Sequence, residues 1–143
     1  MLLIPVYLLS SFGNMLKGQQ LIGLHKKEVI EQVKILYPDF KQETGFVNKA
    51  YKYLKFYDRY NEQTLLCFLS EDDYCIRTQL HSDYSNKPKV IEELNERFTK
   101  IDDKSWSYRE GFKIYKVELK ESEWYFSVIT REKKTIFPWI QTN

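Results

Sequence analysis

Two cysteines and two histidines are the side chains of this chain best suited to chemistry, and their spacing limits what they can do. Cys67 and Cys75 fall on two apolar segments separated by the acidic turn Glu71-Asp72-Asp73. A hairpin centred on Glu71 sets Leu69 opposite Asp73, Phe68 opposite Tyr74 and Cys67 opposite Cys75. Directly opposite residues point to the same face of a sheet. The two sulfurs would therefore meet, and in an oxidising compartment they would form a disulfide. The alternative is a pair of buried free thiols, a common role for cysteine in a core. The spacing is not that of a short-loop metal pair, neither histidine is close in sequence, and no C-x-x-C motif occurs. No metal site is expected.

His25 stands where a helix should begin, which suits a capping role. His81 ends a strand in His81-Ser82-Asp83. Those are the three residue types of a nucleophilic triad, but sequence neighbours cannot converge as a triad does, so a turn is expected there. Neighbouring acids occur at Asp72-Asp73, Glu92-Glu93 and Asp102-Asp103. Adjacent residues on a helix do not face each other. The chain contains no G-x-S-x-G, G-x-x-x-x-G-K-[ST], G-x-G-x-x-G or H-E-x-x-H. The expectation is a non-enzymatic protein without a cofactor.

These residues must be positioned by a fold of 143 residues, enough for one domain. Apolar residues are 43% and charged residues 29%, a globular composition. Twenty-two Lys+Arg against 20 Asp+Glu leave a net charge of +2, which argues against a dedicated nucleic-acid binder. Residues 2–9 are apolar and uncharged, too short to span a bilayer but suited to the central region of a secretory signal peptide. Small residues at Ser11 and Gly13 favour cleavage after Gly13, with Gly18 as a second candidate. No Lys or Arg precedes Lys17, which is a departure from such signals. Residues 1–20 are thus expected to be a leader, 21–131 a single domain and 132–143 a tail, with a periplasmic or secreted location. The other possibility is that residues 2–12 belong to the fold of a cytosolic domain with free thiols.

Two helices are expected. Val29, Ile30, Val33, Leu36 and Tyr37 line one helical face, and Pro38 stops the run. Val90, Ile91, Leu94 and Phe98 repeat the pattern, with Ser85 or Asn86 to cap the start and Pro88 tolerated in the first turn. Strands are expected at 51–57, 64–70 and 74–80, and again at 105–109, 112–119 and 123–131, separated by turn signals. Helices with clustered strands and no βαβ alternation predict an α+β fold: a mostly antiparallel sheet of about six strands, with two helices on one face. The halves read as a degenerate repeat of helix plus three strands at a spacing of 61 residues. At that spacing Val29-Ile30-Glu31 falls on Val90-Ile91-Glu92, Tyr37 on Phe98, Leu65 on Phe126 and Cys67 on Val128.

Gly23 followed by Lys26-Lys27-Glu28-Val29, then a helix, then strands, resembles small exported proteins of Gram-negative bacteria. Two helix-plus-strand units are similar in layout to the β-lactamase-inhibitor-protein-like group, and one unit resembles the small outer-membrane assembly lipoproteins. The resemblance covers about residues 21–131 and implies export and a binding or assembly role. No cysteine stands near the expected cleavage points to carry a lipid.

The strand faces suggest where binding would occur. Leu54 and Phe56 share one face, as do Trp124, Phe126 and Val128, and these suit a core beneath the helices. Tyr51, Tyr53 and Tyr57 take the other face, as do Tyr125, Ser127 and Ile129. The expected site is this Tyr-rich face, Tyr51, Tyr53, Tyr57 and Tyr125, interleaved with Lys and Arg and with Trp106 or Trp139 nearby. Tyr is favoured at recognition surfaces because a large apolar ring carries a polar tip. The expected partner is a protein or glycan of the cell envelope. Nucleic acid is not expected, because the element order and the near-neutral charge are both wrong for an RNA-recognition sheet. The alternative is a small carrier or enzyme with a pocket between sheet and helices.

Overall fold

A computed structural model describes residues 16–44 and 51–133. Helix α1 (Lys26–Leu36) and helix α2 (Lys87–Arg97) bury Val29 and Val33, and Val90, Glu93 and Leu94. Both form where the apolar stripes fall. His25 caps α1 with a reciprocal pair: its Nδ1 accepts from Lys27 N, and its own N–H donates to Glu28 Oε1, both at 3.3 Å. Asn86 precedes α2 but does not cap it. Its side-chain amide instead donates to Asn61 O and Ser82 Oγ, and Pro88 supplies the preset first turn.

The strands are β1 (Lys41–Glu43), β2 (Tyr53–Asp58), β3 (Gln63–Leu69), β4 (Cys75–Ser82), β5 (Thr99–Asp102), β6 (Ser105–Glu110), β7 (Lys113–Glu121) and β8 (Phe126–Lys133). They make one antiparallel sheet in the order β1-β2-β3-β4-β8-β7-β6-β5. The sheet therefore has eight strands rather than about six. The two additions, β1 and β5, are short, exposed along their whole length and charged. Neither face is buried, so no apolar alternation betrays them in the sequence. As the two edges of the sheet, their charges discourage pairing with another chain.

Each half is one helix followed by four strands, and the halves meet where β4 pairs with β8. The helices keep the 61-residue spacing, Lys26–Leu36 against Lys87–Arg97. The strands do not, because the first half has a longer stretch between its first two strands. Leu65 and Cys67 lie on the third strand of their unit, whereas Phe126 and Val128 lie on the fourth strand of theirs, so those sequence matches are not structural ones.

One core gathers the inward sheet residues Phe56, Leu65, Trp106, Val117 and Phe126 with Val29, Val33, Val90 and Leu94 of the helices. The chain entering α1 belongs to it as well. Leu16, Leu21 and Ile22 are buried, Arg97 Nη1 donates to Leu16 O at 3.0 Å, and Lys17 N donates to Tyr37 Oη at 2.9 Å. A short 3-10 turn at Gly18–Gln20 lies against β4 and β8. It can lie there only because residue 18 has no side chain, since a Cβ would overlap the Thr78 hydroxyl. The described part of the stretch assigned to a leader is thus core material. A cut after Gly13 leaves it whole, whereas one after Gly18 removes Leu16 and Gly18. The leader's apolar run and the 134–143 part of the tail, with Trp139, lie outside the described residues.

Candidate functional site

The sheet has a core face beneath the helices and an open face opposite. Alternation decides which residue goes where. On β2, Leu54, Phe56 and Asp58 are inward, while Tyr53, Lys55 and Tyr57 point to the open face and are half-buried. Register then extends the face across the sheet: Tyr53 pairs with Phe68, Phe68 with Arg77, Arg77 with Arg131, and Arg131 with Lys116.

The four predicted tyrosines share this side but not one spot. Tyr51, just before β2, meets Phe68 edge-on with centroids 6.5 Å apart, and Tyr53 tilts against the same ring at 5.7 Å. Tyr57 lies further along β2, under the Arg59 guanidinium at 5.5 Å. Tyr125 stacks on His81 at 4.7 Å. Strand patterning does not place Phe68, Arg77 and His81 beside the tyrosines. Their strands were recognised, but only the true register shows which residues stand beside the tyrosines. Arg77 lies over Phe68 with its guanidinium carbon 4.2 Å from the ring centre. Its Nε is buried without a hydrogen-bond partner among the described residues. Burial, and then the Lys55 charge, hold the His81 imidazole below its ordinary pKa, so it is neutral near pH 7.

Several expectations are corrected. His81 lies within β4, not in a turn. Ser82 points to the core side and bonds Gln63 Nε2 at 3.2 Å, so the triad types diverge. Asp83 caps the following turn by accepting from Ser85 N at 2.9 Å. Trp106 is not near the tyrosines: it is fully buried, with Nε1 donating to Asn95 Oδ1 at 3.0 Å. Trp124 is not core. It precedes β8 in a turn and is 79% exposed.

The cysteine register also differs. Cys67 stands opposite Thr78, and Cys75 opposite Leu69, with a bulge between Phe68 and Leu69. The hairpin is not symmetric about Glu71. Asp73 takes a left-handed conformation, φ 67°, and Ile76 is the extra residue of the bulge. Cys67 and Cys75 are nevertheless both inward, buried and free. Cys75 Sγ donates to Arg77 O at 3.7 Å, and the neighbouring Cys75 together with burial pushes the Cys67 thiol well up.

The paired acids stay apart or serve locally. Asp73 pairs with Lys52 at 2.7 Å, and Asp102 accepts from Lys104 N at 2.9 Å. Glu92 is exposed, whereas its neighbour Glu93, on the inner side of α2, is buried. Both Glu93 oxygens lack a hydrogen bond, and Arg97 stands 3.5 Å away. Burial outweighs that cation and raises the Glu93 pKa to about 7. Among the described residues no three His, Cys, Asp or Glu side chains gather as a metal site, and no helix is long and apolar enough to cross a membrane. A groove at the β1–β2 edge is lined by Asp39, Tyr57, Arg59 and Tyr60. Its lining also includes Pro38, just after α1, and the inward Asp58.

No protein-family model, no curated protein and no solved structure matches this chain.

Proposed function

We propose that this protein is a non-enzymatic, exported binding or accessory module that captures a protein or glycan partner on the open face of its sheet. The observation that carries the reading is the aromatic set on that face, opposite the face that packs the helices: exposed Tyr51 and half-buried Tyr53 around Phe68, and exposed Tyr125 on His81. Rings held by neighbours lose little further freedom on binding, which lowers the cost of association. The sequence resemblance in layout to the β-lactamase-inhibitor-protein-like group, which includes binding proteins, belongs to the same reading. Export would place the neighbouring Cys67 and Cys75 thiols in an oxidising compartment, which would join them.

The test is the double change Tyr53→Ala plus Tyr125→Ala. Partner capture by the purified protein from envelope extract should be lost, with the circular dichroism spectrum and Tm retained. Unfolding of the double variant would make these rings core and end the proposal.

The two free, buried thiols also favour a second reading, a cytosolic domain. Intact mass from the native cell, with and without reduction and alkylation, separates the two. A chain starting at Asn14 with no free thiol supports export. A full-length chain with two free thiols supports the cytosolic reading.

A further inference from the structure

The register draws one line across five neighbouring strands on the open face: Tyr53 (β2), Phe68 (β3), Arg77 (β4), Arg131 (β8) and Lys116 (β7). Three cations stand side by side on adjacent strands. Like charges directly opposite in a sheet are unfavourable. The described structure offers them one carboxylate, Glu118, which takes Arg131 at 3.1 Å and Lys116 at 3.6 Å. Arg77 has no acidic partner among the described residues, although the Phe68 ring fixes its guanidinium in place. A chain of net charge +2 thus sets three cations in one row on the sheet face opposite the two described helices.

We propose that the Arg77–Arg131–Lys116 row is a subsite for carboxylates, and that its occupant is an acidic segment of a partner protein. The inference rests on the reading of the open face as the binding surface. Strands lie about 4.8 Å apart, so the five-strand line spans about 19 Å, the length of about six extended residues. The complementary segment carries apolar side chains at the end over Tyr53 and Phe68, and Asp or Glu at the end over the cations. Arg is suited to the carboxylate end because its planar fork bonds carboxylates two-pronged. Ring geometry favours a peptide over a single-stranded nucleic acid. Bases need free ring faces to stack on, and here Arg77 covers Phe68 while His81 and Tyr125 face each other, with planes 18° apart.

The experiment is fluorescence anisotropy on the full chain with two labelled probes. One is a synthetic peptide with two leucines followed by four glutamates, the other an oligothymidine of equal charge. The peptide should bind, and Arg77→Gln or Arg131→Gln should weaken it at least tenfold while Tm is unchanged or rises, since each change relieves a like-charge contact. Arg77→Lys should restore less than the wild-type affinity. Tyr53→Ala should weaken the leucine-bearing peptide more than a peptide of four glutamates alone. Stronger binding of the oligothymidine, or peptide binding indifferent to both Arg changes, overturns the proposal. If native-partner capture still depends on Tyr53 and Tyr125 while neither probe binds, the acidic-segment inference fails and the binding-face reading stands. If neither probes nor tyrosine changes have any effect, both fail.

Discussion

The two faces of the central strands β4 and β8 carry opposite solutions to the same backbone. On the core side Thr78, Leu80, Phe126, Val128 and Thr130 are buried and nearly uncharged. On the other side Arg77, Gln79 and His81 of β4 stand directly opposite Arg131, Ile129 and Ser127 of β8, the last two of which are also buried. Packing stabilises the first face, so a change there should be felt as lost stability. The second face spends some stability on a like-charge row, so a change there should be felt as lost binding. A whole-chain charge of +2 averages over this segregation. Net charge reports on long-range behaviour of the molecule, not on what one face presents.

The contrast can be broken most forcefully from the core side. Trp106→Ala removes a fully buried ring and strands the Asn95 side chain, so it should cost about 3–5 kcal/mol, read as a fall in the urea midpoint. A loss under 1 kcal/mol would mean that the core is not organised as described.

Glu93 sharpens the comparison: like Asp58 it is a buried carboxylate, but unlike Asp58 it accepts no hydrogen bond. Its pKa is raised to about 7 in the fold, above the ordinary 4.5, so the folded chain holds a proton that the unfolded chain has released. Stability from this group is therefore complete below about pH 4.5 and lost as pH rises through 7. Glu93→Gln should stabilise the protein by about 1–3 kcal/mol at pH 8 and by almost nothing at pH 4.5. Urea titrations at both pH values check this, and equal effects at both would refute it.

The open-face changes should have the smallest effect on stability. Tyr53→Ala with Tyr125→Ala, or Arg131→Gln alone, should move stability by about 1 kcal/mol or less. If they cost as much as Trp106→Ala, the distinction between the two faces disappears.

Much of this was legible in the sequence. Both helices were placed by their apolar stripes, His25 by its position before α1, and six of the strands by alternation between turn signals. Tyr53 and Tyr57 were assigned to the face opposite Leu54 and Phe56 because alternation is a local property of a strand. Trp124 was misassigned because it was read as part of β8, which begins only at Phe126. Alternation says nothing about a residue in a turn. The edge strands β1 and β5 were invisible because they bury nothing.

What the sequence determined by itself is thus whatever repeats along the chain: helical stripes, strand alternation, the turn residues that separate them, and the approximate doubling of the two halves. What only the tertiary structure decided is whatever depends on register. The turn sets Leu69 opposite Cys75 rather than Asp73, and the bulge at Phe68/Leu69 shifts the register by one residue more, so that Cys67 stands opposite Thr78 and Phe68 beside Arg77. The pairing of β4 with β8 then brought Arg77 to Arg131 across many intervening residues. Local propensities fix which way a side chain points, but its neighbours across a sheet are fixed by hydrogen-bond pairing between distant segments, and one inserted residue changes every pair beyond it.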